Sequence, residues 1–320
     1  MAERIFVTGA TGRIGRPLCA TLVAAGHSVA GLSRDDEGEA ALRALGVDTI
    51  RGDLSDTEAL RRGIEGADRL IHLAGGVRGR QGESAAELNT EGTRQVLEVA
   101  RTSPALKAFV LASTCAVYGD RSWLWVEEDF RPSPNTEYGA SKVKAEQLVL
   151  DASAEGLPGV IARIAAVYGP EFPFTMAERM QRGVAWLPGE GGNCIPLVHV
   201  DDCVNALILL AEKGQAGEIY HVADRSSPAL RDFYKEVHGH VGGEMVNFWS
   251  TWIPSAVQFY LARKNDDIKT RLGRKPRFTP DNLRLFTNSV RLKTDRLEHE
   301  LGFRWRYPDF VEGVRASFGG

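Results

Sequence analysis

Short apolar runs alternate with helical stretches through the first half of the chain. Ile5-Phe6-Val7 reads as a buried strand, residues 17–23 as a helix, residues 28–32 as a second strand and residues 39–45 as a helix stopped by Gly46. The alternation continues with strand 47–50, helix 59–64 capped by Asp56-Thr57-Glu58, strand 70–74, amphipathic helix 87–100, strand 109–113, helix 138–151 and strand 160–164. Residues 77–84 and the tryptophan-containing stretch 123–134 read as loops. This order predicts an α/β fold, a doubly wound parallel sheet covered by helices on both faces. A ligand of such a sheet belongs at the C-terminal ends of its strands.

Beyond Tyr168-Gly169-Pro170 the period breaks into loops rich in proline and glycine, with residues 197–202 and 219–222 as the last strand candidates. The division expected is a nucleotide-binding domain over residues 1–170, with later returns near 197–223, and a smaller C-terminal lobe over 171–320 that holds the substrate. The formal net charge of −3, from 39 basic and 42 acidic residues, contains no basic block, so nucleic acid is not an expected partner. No apolar run approaches the length of a membrane span. The first strand candidate begins a few residues after Met1, so neither a signal nor a transit peptide is expected, and a cytoplasmic location is. Cys19, Cys115, Cys194 and Cys203 are scattered among apolar neighbours, as free thiols are, and no metal site is expected.

Three stretches carry chemistry. Gly9-Ala10-Thr11-Gly12-Arg13-Ile14-Gly15 joins the first strand to the first helix with G-x-x-G-x-x-G spacing. Glycines let the backbone turn sharply and approach a pyrophosphate, and the helix N-terminus faces the anion. Tyr138 and Lys142 stand four apart on one helix face, where an ammonium favours phenolate and readies the tyrosine for proton exchange. Ser113-Thr114 ends a strand at the ligand edge, where a hydroxyl can bond a substrate oxygen.

With these in place the chain resembles an extended short-chain dehydrogenase/reductase of the NAD-dependent epimerase/dehydratase superfamily. The matching stretches are T-G-A-T-G-R-I-G, G-D-L at Gly52 to Leu54, H-L-A-G at His72 to Gly75, N-T-E-G-T at Asn89 to Thr93, S-T-C-A-V-Y-G, Y-G-A-S-K, R-I-A-A-V-Y-G-P and H-V-D-D at His199 to Asp202. The resemblance implies a Rossmann fold in which Gly9, Thr11, Gly12, Arg13, Ile14 and Gly15 clamp the pyrophosphate. It implies Thr114 as the hydroxyl that orients the substrate oxygen, Tyr138 as acid/base, and Lys142 as the group that lowers its pKa and holds the nicotinamide ribose. Asp53 and Leu54 would receive the adenine, and Leu73, Ala74 and Gly75 would line the ribose and phosphate path. Asn89 reads as structural. His199 and His221 read as satisfied strand residues, and Asp201-Asp202 as a helix cap.

An acidic residue at the end of the second strand binds the 2′-hydroxyl of NAD, whereas arginine accommodates the 2′-phosphate of NADP. Here Ser33 and Arg34 stand at that end, with Arg13 on the same side, so NADP(H) is expected. Asp35 and Asp36 keep NAD(H) open, since a slightly longer strand would bring a carboxylate to the ribose. For the substrate, nucleotide-sugar enzymes of the family carry Asn before V-Y-G-P and Arg-Asp before the Val-Asp-Asp segment. This chain has Ala166 and Ile195-Pro196 instead. Residues 272–279 and Glu300-Leu301-Gly302-Phe303 resemble the 3β-hydroxysteroid dehydrogenase-like and dihydroflavonol reductase-like branches, which act on apolar, often ring-bearing alcohols and ketones. The reading is an oxidoreductase of such a substrate; the alternative is a nucleotide-sugar epimerase or dehydratase with tightly held NAD. Phe248, Trp249, Trp252, Ile253, Phe259 and Tyr260 cluster within residues 245–261 as lid, core or peripheral membrane contact. Trp123 and Trp125 are placed to wall a pocket. The resemblance also implies a homodimer through helices 87–100 and 138–151.

Overall fold

A computed structural model describes residues 2–77, 84–122, 124–170, 190–242 and 280–318, together with the short pieces 185–186 and 245–246 and the single residues 260 and 264. In chain order the first elements are β1 (Arg4–Thr8), α1 (Gly15–Ala24), β2 (Ser28–Ser33), α2 (Asp36–Arg43), β3 (Asp48–Arg51), α3 (Thr57–Ile64), β4 (Arg69–His72), α4 (Ala85–Ala100) and β5 (Ala108–Thr114). A single 3₁₀ turn (Cys115–Tyr118) follows, then β6 (Trp125–Val126), α5 (Glu137–Ala154), β7 (Gly159–Ile164), β8 (Ala166–Tyr168), β9 (Ala185–Trp186), β10 (Leu197–His199) and α6 (Val200–Lys213). The remainder is β11 (Ile219–Val222), α7 (Leu230–Val241), β12 (Met245–Val246), α8 (Pro280–Thr287), β13 (Arg291–Leu292), α9 (Asp295–Leu301) and α10 (Phe310–Phe318).

The main sheet has seven strands in the order β11-β7-β5-β4-β1-β2-β3, every neighbouring pair parallel. Apart from the edge strand β3, its strands are largely buried and split their side chains between two cores by simple alternation. Ile5 and Val7 join Leu18, Leu22, Leu42 and Leu207 on one face, while Phe6 joins Leu60, Ile64, Val96 and Val149 on the other. The chain runs outward from β1 through β2 and β3, then returns to β4 on the opposite side of β1. That reversal leaves a crevice beyond the C-terminal ends of β1 and β4, where an open α/β sheet binds its ligand. A third core, formed by Tyr168, Leu197, Leu230, Phe233, Tyr234, Val237 and Val314, binds α7 and α10 together. Strand β11 returns residues 219–222 to the edge of the main sheet, whereas β10 pairs with β8 in a separate two-stranded piece.

Two boundaries differ usefully from the sequence reading. Helix α2 begins at Asp36 because the Asp35 side chain accepts from Gly38 N at 2.8 Å and caps it. Strand β4 stops at His72, which releases Leu73-Ala74-Gly75 into the crevice. Trp123, residues 247–259 with their aromatic cluster, and the 272–279 stretch lie outside the described residues. All four cysteines are free, and among the described residues no helix is long and apolar enough to cross a membrane.

Candidate active site

A cleft of about 430 Å³ opens between the turn after β1 and the loop after β4. Gly9 takes a φ of +71°, and a methyl group there would stand 2.7 Å from Ala74 N. Only glycine tolerates both conditions, so two backbones meet closely and Leu73, Ala74 and Gly75 line the cleft beside Gly9, Thr11 and Gly12. A Cβ on Gly12 would meet only Gly9 O of its own turn, at 3.0 Å, which leaves its other side open. No side chain caps α1, and Arg16 N bonds back to Gly12 O at 3.0 Å, so the helix meets the turn with the positive end of its dipole.

Toward β2 and β3 the lining changes to Leu32, Leu54 and Leu88, with Arg34, Asp53 and Ser55 as polar groups. Asp53 Oδ1 accepts from Ser55 N at 2.9 Å and Ser55 Oγ at 2.6 Å. The Ser55 hydroxyl holds the carboxyl below the usual carboxylate range against burial, and the Arg34 charge adds a smaller pull. Asp35 is occupied as the cap of α2, and Asp36 pairs with Arg51 at 2.7 Å. Neither lines the cleft.

Of the residues expected around a dinucleotide, Gly9, Thr11, Gly12, Arg34, Asp53, Leu54, Leu73, Ala74 and Gly75 come together in this one cleft. Arg13, Ile14, Gly15 and Ser33 do not line it. Arg13 is exposed, Ile14 packs on the core, and Gly15 lies beneath the turn, where a Cβ would meet Gly9 O at 2.2 Å. Ser33 is buried with its Oγ on Asp35 O at 3.2 Å, because strand alternation turns it from the face that Leu32 and Arg34 share. The same alternation puts Leu32 on the face of Arg34, and Ser55 adjoins Leu54, whereas Leu88 adjoins only Asn89, which reads as structural.

At the end of β5, Ser113 and Thr114 leave the strand on opposite faces. Ser113 Oγ donates to Glu146 at 2.5 Å, away from the site, while Thr114 Oγ1, which accepts from Ala116 N at 3.2 Å, lies beside the Tyr138 phenol. Helix α5 reaches this point because Gly139 lets it close on the 3₁₀ turn; a Cβ there would stand 2.6 Å from Ala116 O. Lys142, 4% exposed, donates from Nζ to Ala112 O at 2.8 Å and lies beside Gly75 of the cleft.

Burial pushes the Tyr138 phenol up to about 12, with the neighbouring Thr114 hydroxyl opposing. The lowering expected from Lys142 is not realised in the chain by itself, where that ammonium is bound to the Ala112 carbonyl and burial governs the phenol. Burial likewise pushes Lys142 down to about 8, with the Glu146 carboxylate opposing. Below that pH the fold carries a buried charge that costs about 3 kcal/mol at 1.36 kcal/mol per pH unit. Between about 8 and 10.5 the unfolded chain binds more protons, so stability rises with pH across that window. Lys142→Met is therefore expected to stabilise the fold by about 1–3 kcal/mol at pH 7, a gain that fades toward pH ~10. Urea unfolding at both pH values checks this, and a variant less stable than wild type at pH 7 contradicts it.

Polar side chains hold the catalytic segment from behind. Asn89 accepts from Gly76 N at 2.9 Å and donates to Gly76 O at 3.0 Å and Ser141 Oγ at 2.9 Å, and Ser141 Oγ donates to Tyr138 O at 2.8 Å. Asn89 thereby ties the loop after β4 to the tyrosine's own helix. His72 lies between Thr8 and Thr93 hydroxyls at 2.6 and 3.1 Å, and burial pushes it down to about 3, so it stays neutral. His221 bonds the Tyr118 hydroxyl and Lys293 O, at 2.5 and 2.7 Å. The cap of α6 is not the Asp201-Asp202 pair but His199, which accepts from Asp201 N at 3.1 Å. Asp202 instead accepts from Arg306 N and Tyr307 N, at 2.8 and 2.9 Å, and pins the approach to α10.

Comparison with known proteins adds to this geometry. The model of the NAD dependent epimerase/dehydratase family matches residues 5–223. The chain is 31% identical over 320 residues to the 4-hydroxy-2-methyl-3-oxo-4-farnesyl-3,4-dihydroquinoline-1-oxide ketoreductase of Stigmatella aurantiaca, covering 95% of this chain and 92% of the relative. It is 29% identical over 314 residues to sterol demethylase protein B of Methylococcus capsulatus (strain Bath), covering 93% and 92%. Among solved structures, UDP-glucuronic acid 4-epimerase from Bacillus cereus, in complex with UDP-glucuronic acid and NAD, matches with a TM-score of 0.77 at 22% identity, covering 99% of this chain and 98% of that one. At that identity the likeness is one of fold.

Proposed function

This chain belongs to the NAD dependent epimerase/dehydratase family, and on that footing we propose that it passes hydride between NADP(H) and the ketone or secondary alcohol of an apolar substrate. It is an NAD(P)-dependent oxidoreductase of the extended short-chain type. One juxtaposition carries the reading: the Thr114 hydroxyl and the Tyr138 phenol lie side by side at the end of β5, with Lys142 one helical turn along and beside the cleft.

The cleft fits a dinucleotide. Gly12 is open, α1 is uncapped, and Arg34 makes no hydrogen bond or ion pair among the described residues. Gly9, Gly12 and the start of α1 would hold the pyrophosphate, Asp53 and Leu54 the adenine, and Lys142 the nicotinamide ribose. When bound, the nicotinamide supplies or takes up the hydride. Thr114 Oγ1 orients the substrate oxygen, and the Tyr138 phenolic oxygen gives that oxygen a proton in reduction or takes one in oxidation.

Arg34 at the end of β2 supports NADP(H), because the two carboxylates that could have favoured NAD are spent on α2 and Arg51. Arg34→Ala is expected to weaken NADPH binding about tenfold to a hundredfold, from about 1.5–3 kcal/mol for charge-assisted hydrogen bonds, and to leave NADH nearly unchanged. Fluorescence titration of both dinucleotides checks this; equal losses would contradict it. The relatives' names, a farnesylated dihydroquinoline oxide in one and sterol demethylation in the other, support an apolar substrate. So do Ala166 and Pro196, which stand side by side with Ala166 N on Pro196 O at 3.1 Å, where nucleotide-sugar enzymes carry polar groups. The homodimer through α4 and α5 and the cytoplasmic location belong to the same proposal. Its test is a panel of sterol-like, aromatic and aliphatic ketones assayed with NADPH and NADH. Turnover of apolar ketones with NADPH is expected; stabilisation by a UDP- or dTDP-sugar in protein that purifies with NAD would overturn it.

A further inference from the structure

Helix α8 brings a carboxylate from the C-terminal part of the chain to the first turn of the helix that carries Tyr138. Asp281 Oδ2 accepts from Glu137 N at 2.7 Å, and Thr136 Oγ1 accepts from Gly139 N at 3.0 Å. The peptide N–H groups on either side of Tyr138 are thus both held, one by the local cap and one by α8. The contact is braced beyond the carboxylate. Asn135 and Asn288 exchange side-chain hydrogen bonds, both 2.9 Å, and Arg284 Nη1 donates to Asn135 O at 3.1 Å.

Other supports of this turn come from the nucleotide-binding part. The Ala116 carbonyl packs against Gly139, and the Ser141 hydroxyl, backed by Asn89, donates to Tyr138 O. Tyr138 is the second residue of α5. In that position it lacks the intrahelical N–H bonds that fix a helix interior, so its place depends on what holds the first turn. Asp281 also sets a negative group at the positive end of the helix dipole.

We propose that α8 is a latch on the catalytic helix and that Asp281 is a positioning residue, fixing the phenol of Tyr138 against Thr114 through the backbone of Glu137. This rests on the reading of Tyr138 as the acid/base. Displacing a reacting group by about 1 Å can cost about a hundredfold in rate. Asp281→Ala is therefore expected to lower kcat about tenfold to a hundredfold, with KM for dinucleotide and ketone within about twofold of wild type. Asp281→Asn keeps an acceptor oxygen and is expected to restore most of kcat.

The test is steady-state kinetics of both full-length variants on the ketone that wild type turns over fastest, with thermal melts alongside. A tenfold or greater fall in kcat that Asn rescues supports the latch. An Ala variant that only melts earlier, with kcat kept, overturns it, and so does an Asn variant as slow as the Ala one. Tyr138→Phe assayed beside them separates the two readings. If it turns over like wild type, the acid/base assignment itself falls; if it is inactive while Asp281→Ala is normal, only the latch falls.

Discussion

Tyr138→Phe is expected to lower turnover about 10²–10⁴-fold, the usual worth of a positioned acid/base, while dinucleotide affinity stays within about twofold. The substitution removes one oxygen and keeps the ring in its half-buried place, so the cleft around Gly9, Asp53 and Gly75 is untouched. What disappears is the hydroxyl that lies beside Thr114. The phenol's raised pKa gives the pH dependence a sign. With burial pushing it up to about 12, the tyrosine remains protonated through neutral pH and can donate to a ketone there. Alcohol oxidation requires the opposite form and is expected to accelerate with rising pH, whereas ketone reduction is not. Rates in both directions, for wild type and variant, check this; a variant within tenfold of wild type contradicts the assignment.

Glu146→Ala is expected to destabilise the fold by about 3–5 kcal/mol, the usual cost of breaking a buried ion pair. Glu146 and Arg163 have side chains 4% and 3% exposed, joined at 2.8 Å, and Ser113 supplies a further bond to the carboxylate. Arg163 also donates to the Tyr118 hydroxyl at 2.6 Å and to Glu128 O at 2.8 Å. The Lys293 carbonyl can only accept, so His221 Nδ1 donates to it and Nε2 accepts from Tyr118. The network ties α5, β5 and β7 to β11 and to the chain after β13. Alanine leaves the guanidinium buried without its counter-charge. It also removes the carboxylate that opposes the lowering of Lys142, so Lys142 is expected to titrate still lower in the variant. Denaturant unfolding measures the loss, and a change under about 1 kcal/mol would show that the pair carries little of the fold.

Much of this was legible because local pattern and fold agree. The apolar runs at Ile5-Phe6-Val7 and residues 109–113 became strands, and glycine spacing located the turn that Gly9's positive φ now explains. Tyr138 and Lys142 fell on one face because four residues make roughly one helical turn. The choice of Thr114 over Ser113 came from resemblance; its physical cause is strand alternation, which sends Ser113 to Glu146. Contacts across long sequence distances were not legible. Asp281 reaches Glu137 from 144 residues away, and Asp202 holds backbone groups 104 and 105 residues on. No periodicity encodes such pairings. Asp201-Asp202 looked like a cap because acidic residues favour helix starts, but the histidine before them took that place.

Net hydride transfer from a bound nicotinamide to an apolar ketone can be followed with an isotope. The full-length protein would be incubated with NADPH carrying deuterium at the transferable position and with the ketone that the panel selects. One deuterium is expected on the carbinol carbon of the alcohol product, with one NADPH consumed per alcohol formed, and both are expected to be lost in Tyr138→Phe. Nucleotide-sugar interconversion without net consumption of dinucleotide, and no deuterium in any ketone-derived product, would contradict this transfer.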